Sequence, residues 1–87
     1  MFVVVGQEIE WDDSRCWLVI AFRTKKKAVE TTSLLNGLLF RLREANVEEE
    51  RQIIHEVSEI DSNVGGTRRG MLSTEYEMWE VELEDAD

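Results

Sequence analysis

The sequence predicts an α+β domain, a small antiparallel three-stranded sheet with two helices on one face, in the order ββααβ. Three observations carry this expectation. Apolar and polar residues alternate at both ends of the chain, apolar residues recur at helical spacing in the middle, and clusters of glycine and short polar residues separate the runs. The first strand is expected over residues 2–11, with Val3, Val5, Ile9 and Trp11 on one side and Val4, Glu8 and Glu10 on the other. Asp12, Asp13, Ser14 and Arg15 follow; their short polar side chains bond nearby backbone and favour a turn, hence a hairpin. The second strand, residues 16–23, is apolar on both faces until its end and is therefore expected to be the central, most buried strand.

The first helix is expected after Thr24 and to about Ala45. Ala28, Leu35, Leu38, Leu39 and Leu42 form its apolar stripe, broadened by Val29, Leu34 and Phe40. Its opening Lys25, Lys26 and Lys27 oppose the helix dipole, and Gly37 weakens its interior by about 1 kcal/mol relative to Ala. Asn46 and Glu49 have capping-box spacing, so a second helix starts here and runs to about Ile60, burying Ile53, Ile54, Val57 and Ile60. The rival is one helix over residues 28–60; polar Asn46 and Glu48 to Glu50 interrupt its stripe. Antiparallel packing would set the three lysines beside Glu56, Glu59 and Asp61, which oppose the dipole at the end of the second helix. Asn63, Val64, Gly65 and Gly66 stop that helix, a loop follows to Gly70, and the third strand is expected over residues 71–84. There Trp79, Val81 and Leu83 face the core and Glu80, Glu82 and Glu84 face away, with Tyr76 and Met78 on the glutamate side.

At 87 residues the chain is expected to form a single compact domain over residues 1–87, with residues 85–87 a loose acidic C-terminus. A core of this size is near the lower limit for independent folding, so self-association is expected. No apolar run is long enough to span a membrane, and the apolar start lacks the basic leader of a signal peptide; a cytoplasmic protein is expected. The single cysteine, Cys16, cannot form an internal disulfide and reads as a buried apolar thiol.

Charge is sorted along the chain. Residues 1–13 carry Glu8, Glu10, Asp12 and Asp13 and residues 70–87 carry seven carboxylates, neither segment with a base, so the middle is nearly balanced against a net charge of -9. Such excess acid argues against direct binding to nucleic acid or to an anionic membrane, because phosphate contact requires a basic face. A basic partner protein is favoured. If Ile9, Trp11, Trp79 and Val81 point inward, then Glu8, Glu10, Glu80, Glu82 and Glu84 share the open face of the sheet. Alternate residues of a strand are about 6.5–7 Å apart, close to the separation of successive phosphates, so such rows could mimic a nucleic-acid strand. The competing reading is a solvated edge whose glutamates prevent aggregation.

The remaining motifs are smaller. Gly65 and Gly66 followed by Arg68 and Arg69 could converge on an anion, which makes a nucleotide-binding or nucleotide-sequestering loop the alternative function; the order of elements is not that of a P-loop. His55 and Glu59 sit one helical turn apart, but two ligands do not make a metal site, and no cofactor is expected. One Cys and one His in unrelated elements supply no catalytic constellation, so no enzyme is expected. Trp17 and Trp11 are candidate interface anchors, and Trp79 is expected in the core.

In size and charge the chain resembles the small, acidic, cofactor-free proteins by which phages and mobile elements block host nucleic-acid machinery, including anti-CRISPR and DNA-mimic anti-restriction proteins. That resemblance implies an inhibitor that occupies a basic, nucleic-acid-binding surface of a partner protein, in the host cytoplasm if the chain is phage-encoded.

Overall fold

The computed structural model describes residues 1–9 and 14–82. Its elements are β1 (Phe2–Ile9), β2 (Ser14–Phe22), α1 (Lys25–Leu42), α2 (Val47–Ile60), a short α3 (Arg68–Leu72) and β3 (Thr74–Glu80). Every strand pairing is antiparallel, in the order β2-β1-β3. The α+β class and the ββααβ order are as expected. Glu10, Trp11, Glu84 and the acidic terminus at 85–87, all singled out above, lie outside the described residues.

The central strand is β1, not β2. Val4 and Val5, on opposite faces of β1, are 0% and 4% exposed, whereas Cys16, Leu18 and Ile20 of β2 are exposed. The uninterrupted apolar run of β2 therefore reflects one face on the core and another left uncovered, rather than burial on both. A β-bulge between Val4 and Val5 inserts an additional β2 residue, and Val19 and Phe22 still pack on the core.

Leu35, Leu38, Leu39 and Leu42 turn one stripe of α1 onto Val4 and Tyr76 of the sheet and onto Ile53 and Val57 of α2. The helices are separate, as the capping box implies. The Asn46 side chain accepts the Glu49 backbone N–H at 2.9 Å, and its amide donates to the Glu49 carboxylate at 2.8 Å. Before that cap, the N–H groups of Arg43, Glu44 and Ala45 bond to carbonyls three residues back, which tightens the end of α1 and buries Ala45 as a core residue of the turn.

Two local expectations are corrected. Residues 68–72 form the helical turn α3 rather than loop and strand, because the Thr67 hydroxyl accepts the Gly70 N–H and Met71 is driven fully into the core. Five residues are too few to show a helical period. The expected relief between the lysines of α1 and the carboxylates of α2 is also absent: among the described residues no ion pair joins Lys25, Lys26 or Lys27 to α2. Asp61 is instead buried under the sheet.

Candidate protein-binding surface

Residues paired across an antiparallel ladder point to the same face. On the helix side lie Phe2, Val4, Gly6 and Glu8 of β1, with Trp17 and Arg15 of β2 and Thr74, Tyr76, Met78 and Glu80 of β3. On the open side lie Val3, Val5, Gln7 and Ile9, with Cys16 and Leu18 of β2 and Glu75, Glu77 and Trp79 of β3.

Among the described residues this register takes Glu8 and Glu80 off the open face on which the acidic row was expected. Glu8 faces the helices, where its carboxylate accepts from Arg15 at 2.9 Å. Glu80, paired with Phe2, shares that side at the far end of β3, and Glu82 lies beyond the strand; both are exposed. The phase error has a clear origin. The sequence of β3 supports two alternations, Tyr76 with Met78 or Trp79 with Val81, and they are out of step by one residue. Tyr76 and Met78 win because the Tyr76 hydroxyl reaches the buried Asp61 and its ring packs in the core. Trp79, expected inside, is 44% exposed.

What the open side presents is apolar with acid among it. Ile9 and Leu18 are 65% and 58% exposed, and the Cys16 thiol is exposed beside Leu18 rather than buried. Glu77 is held upright there: its carboxylate accepts from the Trp79 indole N–H at 2.9 Å and from the Gln7 amide at 3.3 Å. Glu75 stands next to it along the strand, opposite Gln7. Neither glutamate was singled out from the sequence; their position between Thr74, Tyr76 and Met78 is the signal that marks them.

The helix side holds a polar node that sequence reasoning also missed. Asp61, the C-cap of α2, is 1% exposed, and its carboxylate accepts from the Trp17 indole N–H at 2.8 Å, the Tyr76 hydroxyl at 2.8 Å and the Asn63 backbone N–H at 3.0 Å. Gly6 makes room for it. A Cβ on Gly6 would fall 2.5 Å from the Trp17 ring, so only a bare backbone lets the indole lie across β1 toward Asp61. Arg15 stacks over the outer face of that indole, 4.8 Å from its centroid. Burial pushes the Tyr76 phenol far above its ordinary range, with the Asp61 hydrogen bond and charge adding to the effect. The node is saturated, and it ties α2 to β2 and β3.

The alternative ligand loop is engaged internally. The Arg68 guanidinium donates to the Arg43 carbonyl at 2.8 Å and lies 3.9 Å from Glu50, Gly65 packs near Gly70, and Gly66 and Arg69 are exposed. Among the described residues nothing draws Arg68 and Arg69 toward one point. His55 bonds Glu59 at 3.0 Å on the surface, and no group of three metal-ligating side chains occurs among the described residues. A shallow cleft between α1 and β3 is lined by Asn36, Phe40, Arg43, Leu72 and Glu75. No helix among the described residues is long and apolar enough to cross a membrane. The chain matches no protein-family model, no curated protein and no solved structure.

Proposed function

We propose that this chain is a non-enzymatic protein-binding domain whose open sheet face docks on a partner with an apolar centre and a basic rim. The observation that carries this reading is the uncovered side of the sheet, where Ile9, Leu18 and Trp79 stand exposed with Glu75 and Glu77 beside them. The apolar side chains supply area, and Trp79 is of the residue type that most often anchors an interface. The carboxylates supply steering and choice of partner; with a net charge of -9 the whole chain favours a basic surface. Basic surfaces of that kind commonly hold nucleic acid, so a chain seated there would act as an inhibitor by exclusion.

A photo-cross-linking side chain placed at Leu18 captures the partner, which is then identified, purified and measured. Reversing Glu75 and Glu77 to Lys is expected to weaken that purified complex by at least about tenfold, and duplex DNA is expected to compete with it. Unchanged affinity in the double reversal overturns the acidic-face reading. Failure of DNA to compete removes the nucleic-acid-binding class of partner while leaving the docking face.

A further inference from the structure

Given the docking face proposed above, on which this rests, we infer that the basic group it selects is an arginine side chain of the partner. The guanidinium lies flat against the Trp79 indole, with its N–H groups on the Glu77 carboxylate. Glu77 is set for that role. Both of its internal bonds, from the Trp79 indole N–H at 2.9 Å and from the Gln7 amide at 3.3 Å, end on Oε2. Among the described residues Oε1 has no donor, and the carboxylate of Glu75, two positions back on the same side, has none either.

The indole is held ready for stacking. Its N–H is tied to Glu77, two residues back along β3, which fixes the ring beside the carboxylate while 44% of Trp79 stays exposed. Across the ladder the neighbours of Glu77 and Trp79 are Val5 and Val3, which bring no charge to compete for them. Among the described residues of the three strands Arg15 is the only base, and it points to the other side of the sheet. No cation of the described residues lies over the Trp79 ring.

The helix side of the same sheet shows the constellation complete. There the Arg15 guanidinium lies 4.8 Å from the centroid of the Trp17 ring and donates to the Glu8 carboxylate at 2.9 Å, while the Trp17 indole N–H is held at 2.8 Å by a carboxylate of its own, Asp61. An anchored indole, a carboxylate free to accept and a guanidinium that meets both are thus three parts that fit together in this chain. The open face repeats the first two, in Trp79 and Glu77, and lacks the third. Charge complementarity selects a cation there, and shape selects which cation. A guanidinium is flat, weakly hydrated and keeps its N–H groups in its own plane, so it stacks and bonds at once; a lysine ammonium is a compact, strongly hydrated charge that makes one contact at the expense of the other.

The test compares a short oligoarginine with the oligolysine of equal length, each titrated into the full chain at low salt by calorimetry, with the Trp79 indole N–H followed by nuclear magnetic resonance. Oligoarginine is expected to bind about fivefold more tightly and to shift that resonance. Trp79→Leu and Glu77→Gln are each expected to remove the preference. Glu75→Gln is expected to weaken both peptides alike, since it takes away charge but neither the ring nor the carboxylate beside it. All three side chains are exposed, and the backbone amide spectrum verifies that each variant folds. Equal affinities in the wild-type chain, or a preference that survives both Trp79→Leu and Glu77→Gln, overturn the arginine assignment. Equal affinities that fall as salt is raised and on reversal of Glu75 and Glu77 to Lys leave the acidic docking face standing without it, whereas binding of neither peptide removes the two together.

Discussion

Asp61 shows how much one side chain can organise in a domain this small. A buried carboxylate is tolerated when donors surround it, and here an indole, a phenol and a backbone amide do so from β2, β3 and the chain after α2. Asp61→Ala leaves all three donors without an acceptor, and we expect it to lower stability by about 3 kcal/mol in urea unfolding, with Tyr76→Phe costing about 1 kcal/mol. Gly6→Ala drives a methyl into the Trp17 ring and is expected to shift the environment of the indole as read by its fluorescence. Tyr76 also sets a pH dependence. Its folded pKa is raised above the unfolded value of about 10, so the folded state keeps a proton that the unfolded state releases. That contribution is complete below about pH 10 and declines as pH rises further; Tyr76→Phe is expected to flatten the alkaline fall in stability. Since Tyr76 is the only tyrosine, tyrosinate absorbance should appear together with unfolding and not before it.

At the scale of elements, the helices were the most legible part of the chain. The α2 boundaries follow from Asn46 and Glu49 at one end and a helix-stopping segment at the other, and Asn46→Ala is expected to cost about 1 kcal/mol through loss of the N-cap. The leucine stripe of α1 is equally direct. Strands are harder to read because a period of two has only two phases, and β3 contains both in succession around Met78 and Trp79. A single residue of phase moves every glutamate to the other side of the sheet, which is how Glu80 exchanged places with Glu75 and Glu77. Asn36 illustrates the limit further. Nothing in its helical neighbourhood shows that its amide will stand in for a fourth strand beside Tyr76, 40 residues away in sequence. Asn36→Ala exposes that edge and is expected to raise light scattering at high protein concentration, the outcome for an unguarded strand.

For the whole molecule, the net charge makes the proposed interface sensitive to salt. Attraction between the acidic face of a chain that carries -9 and a basic partner weakens on screening. A salt titration of the purified complex is therefore expected to show affinity falling as salt is raised. By itself the sequence determined the α+β class, the ββααβ order, the division into two helices and the acidic character of the ends, because each follows from local periodicity, capping chemistry or composition. Only the tertiary structure decided that β1 is central, that Asp61 is buried beneath Trp17 and Tyr76, and that the open face is apolar with Glu75 and Glu77 on it while Glu8 and Glu80 lie on the other side. Those outcomes depend on which side of β1 receives β3 and on which of two strand phases satisfies the core, and both are settled by contacts between residues far apart in the chain.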